Sequence, residues 1–225
     1  MGKVDQVSGK QNWIDFGDFI HPCNVNKKNF QTWLDDWVTN SLDEMIKVTM
    51  NQVVNILLKN QNKGDFLPNG LDSLQPTKAC IDCIDYLTSI FELLQQSFPD
   101  SKTLQVIKDE IMTRLFSLLC DHIKKFTINP HGGYRLLSDI SAYHSFCSKF
   151  MHNSGENESL RQFDALKEIP NLFLIDDPVA LKSLVQEENR YMGVFFIPDL
   201  LEFLGCRTDI KQIRPMIEQE GCSIM

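Results

Sequence analysis

From Asn29 onward, apolar side chains recur at steps of three and four residues. Phe30, Trp33, Leu34, Trp37, Ser41, Met45, Ile46, Thr49, Val53 and Ile56 fall on one face of a long helix that should end near Asn60, and that face opens with three large aromatics. The stretch Gly64 to Pro76 holds two Pro, two Gly and two Asp, a loop by composition. A second stripe then runs through Ala79, Cys80, Cys83, Ile84, Leu87, Ile90, Phe91, Leu94 and Phe98, with Pro76 where the helix begins and Pro99 where it stops. Asp100 or Ser101 can cap a third helix, whose stripe of Leu104, Ile107, Ile111, Leu115, Leu118, Leu119, His122, Ile123 and Phe126 ends at Asn129-Pro130-His131-Gly132-Gly133.

A fourth helix is predicted over Tyr134 to His152, with Leu136, Leu137, Ile140, Tyr143, His144, Cys147 and Phe150 inward, and a fifth over Ser159 to Ile169. The apolar run Asn171 to Ile175 has no strand to pair with and reads as a buried connector. Asp176 or Asp177 ahead of Pro178 starts a further helix, Pro198-Asp199 opens a short one over Leu200 to Leu204, and Asp209 to Glu220 forms the last. Neither hairpin signals nor a βαβ alternation occurs, so the expected fold is all-α, an elongated bundle of antiparallel amphipathic helices. It divides into a flexible arm over residues 1–27 with an aromatic group (Trp13, Phe16, Phe19, Ile20), a helical domain over 28–217 and a flexible tail over 218–225.

Of the 225 residues 43% are hydrophobic, enough to bury a continuous core. Lys and Arg number 22 against 30 Asp and Glu, a formal charge of -8, and no stretch concentrates enough basic residues to track a phosphate backbone or an anionic membrane. Nucleic acid is therefore excluded as a partner. Seven cysteines, an odd number without a dense framework, fit a reducing compartment. Met1 to Lys10 lacks the apolar segment of a signal peptide, and no run reaches the ~18 apolar residues of a membrane span.

The clearest chemical motif is the last four residues, Cys222-Ser223-Ile224-Met225. They match a C-a-a-X box with a terminal Met that favours farnesyl, making Cys222 a candidate lipidation site. One lipid chain binds membranes only marginally, and Arg207, Lys211 and Arg214 are diluted by Asp209, Glu218 and Glu220, so the second membrane signal is expected to be a protein. Cys80-Ile81-Asp82-Cys83 has the spacing of half a zinc site, but no second pair follows and both thiols fit the apolar stripe. Cys120 with His122, two apart, cannot share a helix face, whereas His144 and Cys147, three apart, can, yet no strained turn presents that thiol as a nucleophile. His131-Gly132-Gly133 lacks the elbow and acid partner of an oxyanion loop and reads as a helix-ending turn, and no phosphate-cradling loop occurs. No catalytic residue, cofactor, metal or small-molecule substrate is expected. The acidic group Asp35, Asp36, Asp43 and Glu44 reads as a solvated face.

Several segments between Phe30 and Lys211 resemble one family. Gly132-Gly133-Tyr134-Arg135-Leu136-Leu137-Ser138-Asp139-Ile140-Ser141-Ala142-Tyr143-His144 looks like a signature stretch of the exocyst Sec-ten-like family. Phe163 through Ile175, Phe203 through Lys211 and the loop Gly70 through Pro76 are similar to further segments of it. Joined to a C-a-a-X ending, this order of features resembles the recyclin-type F-box trafficking proteins, which carry such a region at their C-terminus. The resemblance implies a tethering-type helical rod in endocytic recycling or exocytic vesicle traffic, a Rab-type small GTPase and trafficking factors as partners, and a cytoplasmic location, peripheral on endosomal, Golgi or plasma membranes. The alternative it implies is the C-terminal region of an exocyst subunit that acts without lipid. No F-box or coiled coil precedes the helices here, so a C-terminal segment of a longer protein is expected, with any Skp-type adaptor contact in the remainder.

Overall fold

The computed structural model describes residues 22–70, 75–98, 101–151 and 157–218. Among them run α1 (Pro22–Asn60), α2 (Lys78–Ser97), α3 (Ser101–Ile123), α4 (Pro130–Met151), α5 (Glu158–Glu168), the single turn α6 (Asn171–Leu174), α7 (Pro178–Gln186), α8 (Ile197–Leu204) and α9 (Ile210–Glu218). An isolated bridge between Ile128 and Arg207 is the extended pairing present among these residues. The all-α class predicted from periodicity is what the chain adopts.

Two compact units divide the chain, Met1–Asp43 and Glu44–Met225. The described part of the first is the opening portion of α1. Its helix starts at Pro22, ahead of Asn29, because proline suits a first helical position whatever the apolar pattern does. The last residues of the predicted arm are thus helical, while Trp13, Phe16, Phe19 and Ile20 lie outside the described residues, as does the tail 219–225 with Cys222.

In the second unit α4 is the central element, packing on α2, α3, α5 and α6, while α7 packs against α8 and α9. Leu136, Ile140, Tyr143, Cys147 and Met151 are its buried stripe. Burying each such side chain contributes roughly 1.5–3 kcal/mol. Edge-to-face and tilted ring pairs knit the stripes together: Phe91 meets Phe146 and Phe150 at centroid separations of 5.4 and 5.0 Å, and Phe195 meets Phe116 and Phe203 at 5.6 Å each.

Local chemistry sets the element ends. Thr77 caps α2 by accepting the Cys80 N–H at 3.2 Å, Asn157 caps α5 from Ser159 N at 2.8 Å, and Asp177 caps α7 by accepting from Val179 and Ala180 with Pro178 next in line. Asp199 takes the Phe196 N–H at 2.9 Å to close the start of α8. The run Asn171–Leu174 is a helical turn rather than extended chain, with Leu172 and Phe173 fully inside.

One local reading is corrected. Gly132 and Gly133 do not follow α3 as a stop; they lie within the first turn of α4, which Asn129 caps by accepting the Gly132 N–H at 2.7 Å. The glycines answer to neighbours distant in sequence. A Cβ on Gly132 would lie 1.9 Å from the Phe66 carbonyl oxygen, and one on Gly133 would sit 2.9 Å from both Phe173 and Leu174 side chains.

Candidate interaction surface

Among the described residues Cys80, Cys83, Cys120, Cys147 and Cys206 are packed out of reach. Cys80 and Cys83 occupy the buried stripe of α2 as free thiols beside Tyr143, and burial, reinforced by nearby Asp139 and Asp82, pushes both up, Cys83 to about 11. Cys120 and Cys147 are likewise buried and pushed up to about 12. None offers a thiolate near neutral pH. His144 Nε2 does meet an acid, Asp164 Oδ1 at 2.6 Å, but the Cys147 thiol beside it is wholly enclosed, so the two form no nucleophile. Among the described residues no cluster of His, Cys, Asp or Glu is placed to hold a metal ion, and no helix is long and apolar enough to cross a membrane.

His122 shares its helix end with Cys120 and is buried against Phe126, ring centroids 4.9 Å apart. Burial, helped by Lys125, lowers its pKa from 6.5 to about 4. Between those values the unfolded chain takes up a proton that the folded chain refuses, so this residue subtracts stability as pH falls through the window and nothing above it. Asp139 acts in the opposite sense: burial raises it from 3.8 to about 7, and its contribution is lost as pH rises across that range. His122→Phe isolates the first effect. Its stability relative to the wild-type chain, read by urea unfolding, is expected to grow on going from pH 7 to pH 4 by on the order of 3 kcal/mol. A gap independent of pH would show that the imidazole charges freely in the folded chain.

The segments that carry the family resemblance turn out to be the joints of the fold. Asp139 accepts both the N–H and the hydroxyl of Thr77, at 2.6 and 2.8 Å, tying α4 to the start of α2. Arg207 is 3% exposed; its guanidinium holds both Asp209 oxygens at 2.8 Å and the carbonyls of Leu172 and Ile175 at 2.6 and 2.9 Å, closing the end of α6 onto the α8–α9 turn. Asp209 is held below the ordinary carboxylate value by that guanidinium. Lys211 and Arg214 stand exposed on α9, and Asp35, Asp36, Asp43 and Glu44 are exposed on α1.

Among the described residues some large apolar side chains are also exposed. In the second unit, Met192, Phe196, Ile197 and Leu201 stand out to solvent, Phe196 at 66%. Behind them lies a cleft of about 470 Å³ walled by Val185, Tyr191, Phe195 and Leu200, and a smaller one of about 230 Å³ opens across Pro198 beside Leu204 and Ile210. Met192 and Gly193 both turn the backbone to positive φ, 54° and 71°, and after that turn Phe195 points into the core while Phe196 and Ile197, at the start of α8, are exposed. The sequence reading missed this ridge. Its available signal was Val194-Phe195-Phe196-Ile197, four apolar neighbours immediately after a glycine, a run that cannot all face one core.

Residues 17–216 match the family described as "Exocyst complex component Sec10-like, alpha-helical bundle". The chain is 26% identical to Recyclin-1 of Saccharomyces cerevisiae across 90% of its own length, and 27% identical to F-box protein pof6 of Schizosaccharomyces pombe across 92%. It is 31% identical to exocyst complex component SEC10a of Arabidopsis thaliana over 77% of its length. It spans 24% of each of the first two relatives and 20% of the third.

Proposed function

The chain belongs to the exocyst complex component Sec10-like, alpha-helical bundle family, and from that premise we propose that it is a non-enzymatic interaction domain of endocytic recycling or exocytic vesicle traffic. It works by docking proteins at membranes. The observation that carries this reading is the outward ridge of Met192, Phe196, Ile197 and Leu201 over its cleft. The partner we assign to the ridge is a Rab-type small GTPase.

Recruitment has a second element in this proposal, a prenyl group on Cys222. The motif Cys222-Ser223-Ile224-Met225 supports it. Each buried CH₂ of the lipid contributes ~0.8 kcal/mol, which holds the chain on endosomal, Golgi or plasma membranes only together with the protein contact. The test is the mass of the C-terminal peptide from eukaryotic cells, with membrane fractionation of Cys222→Ser beside it. A farnesyl adduct and a variant lost from the membrane fraction are expected; an unmodified Cys222 and unchanged fractionation would refute the lipid. The likeness to SEC10a favours a second reading, an exocyst subunit region acting in tethering without lipid, and that result would select it.

A further inference from the structure

The end of α1 and the end of α3 enclose another cleft, built from none of the residues of the α8 ridge. The buried Leu57 and His122 and the half-buried Phe126 wall it, and Leu58 and Leu67 stand at its edge, 69% and 39% exposed. Its volume is about 510 Å³. A cavity of roughly 150 Å³ holds a benzene-sized group, so two large apolar side chains fit here. The fold sets these walls in advance: Phe126 packs on Phe66 and His122 with ring centroids 5.4 and 4.9 Å apart, and the Phe66 carbonyl accepts the Asn129 N–H at 3.1 Å.

The lining carries charge of one sign. Lys63 and Lys125 both line the cleft and are exposed, in a chain whose net charge is -8. Lys78 and Lys124 are paired with Asp82 and Glu202 at 2.7 and 2.6 Å, whereas Lys63 and Lys125 have no ion-pair partner among the described residues. Among those residues no carboxylate lines the cleft; Asp65, two positions from Lys63, accepts instead from the Gln61 amide at 2.7 Å and the Asn62 N–H at 2.8 Å. His122, kept neutral near pH 7 by burial, adds no charge, and its Nε2 is left without a hydrogen-bond partner among the described residues.

We propose that this cleft docks an acidic, apolar segment of a partner protein, with two side chains such as Leu and Phe seated among Leu57, Leu58, Leu67 and Phe126 and flanking Asp or Glu carboxylates on Lys63 and Lys125. Both halves of the recognition lie in one cleft. Burial of the apolar pair supplies affinity, and the two ammonium groups select acids over bases at the edge. A membrane does not meet this geometry, since a flat anionic surface cannot enter a cleft and is repelled by the rest of the chain.

The test is selection of short phage-displayed peptides on the full chain carrying Phe196→Asp/Leu201→Asp, which removes the ridge as a competing target. Expected are peptides that join Leu or Phe to Asp or Glu, bind the wild-type chain equally well, and lose at least tenfold in affinity to Lys63→Glu/Lys125→Glu and to Leu58→Asp. Both lysines and Leu58 are exposed, so these variants should keep the wild-type circular dichroism. Exchanging the acids of the peptide for Lys should restore binding to the charge-reversed variant, a recovery that a damaged fold would not allow. The imidazole resonances that His122→Phe removes should also move when peptide is added. Peptides without acids, peptides indifferent to the two lysines, or no selected peptide at all would overturn the proposal. So would binding to phosphatidylcholine vesicles with about 30% phosphatidylserine that Lys63→Glu/Lys125→Glu abolishes, which would assign the lysines to lipid.

Discussion

Replacing Gly132 by alanine is expected to destabilise the folded chain by about 3–5 kcal/mol, against the sign of helix propensity. In an isolated helix that exchange gains roughly 1 kcal/mol. Here the added methyl would meet the Phe66 carbonyl at 1.9 Å and its carbon at 2.4 Å, both backbone atoms that no rotamer change can move aside. Relief requires shifting the 64–68 loop, which Asn129 holds twice, donating from its N–H to Phe66 at 3.1 Å and from its side chain to Pro68 at 2.9 Å. Phe66, 2% exposed and edge-on to Phe126, would leave its place with the loop. Gly64→Ala, whose methyl meets nothing within 4 Å, is the control and should change stability by less than about 0.5 kcal/mol. Urea unfolding of the two variants separates a steric cause from a general intolerance of alanine.

The second large effect is expected at Arg207. Substitution by methionine keeps the stem but removes a guanidinium that satisfies Asp209 and two backbone carbonyls at once, leaving those acceptors without it; a loss of about 3–5 kcal/mol follows. Lysine preserves the charge but lacks the planar fork, so Arg207→Lys should recover only part of the loss. The pH dependence has a defined sign. Asp209 is held below its ordinary value in the folded chain, so its share of stability is present above the unfolded carboxylate value and fades as pH falls through the folded one. The gap between Arg207→Met and wild type should therefore narrow in acid, without closing, because the carbonyls of Leu172 and Ile175 do not titrate. Denaturant unfolding at neutral pH and near pH 3 reads both quantities. Should the methionine variant match wild type at neutral pH, the clamp would be dispensable.

How far the fold is legible in the residues depends on the range of the interaction. The stripes of α2 to α5 and the Asp177-Pro178 start of α7 are local patterns, and they appear where periodicity and capping place them. Gly132 and Gly133 mislead a local reading, since a Pro-His-Gly-Gly run ordinarily breaks a helix; the reason for glycine is a carbonyl of residue 66 and side chains of residues 173 and 174. Arg207 and Asp139 look like surface charges in sequence, and only their long-range partners make them interior joints. The same limit applies to exposure. Periodicity identifies the aromatic face of α1 but says nothing of what covers it, and Trp33 and Trp37 stand open where Val53 and Leu57, later on that helix, are buried.

The ridge at Phe196 was not legible from the periodic stripes or from the motifs that carry the resemblance. Fold resemblance rests on residues that hold helices to one another, which explains why the same motifs serve proteins of different tasks and why binding must be sought elsewhere. The uncovered ridge at Phe196 is the surface on which the docking proposal stands.

The most direct measurement is binding of the purified chain to Rab-type GTPases loaded with GTP or GDP, comparing wild type with Phe196→Asp/Leu201→Asp. Both side chains are exposed, so the variant should fold as wild type by circular dichroism. Expected is binding that prefers one nucleotide state and falls at least tenfold in the variant, a loss on the order of 1.4 kcal/mol. Equal binding by the two proteins, or none by wild type to any Rab-type GTPase, would contradict the assignment of this ridge as the docking surface.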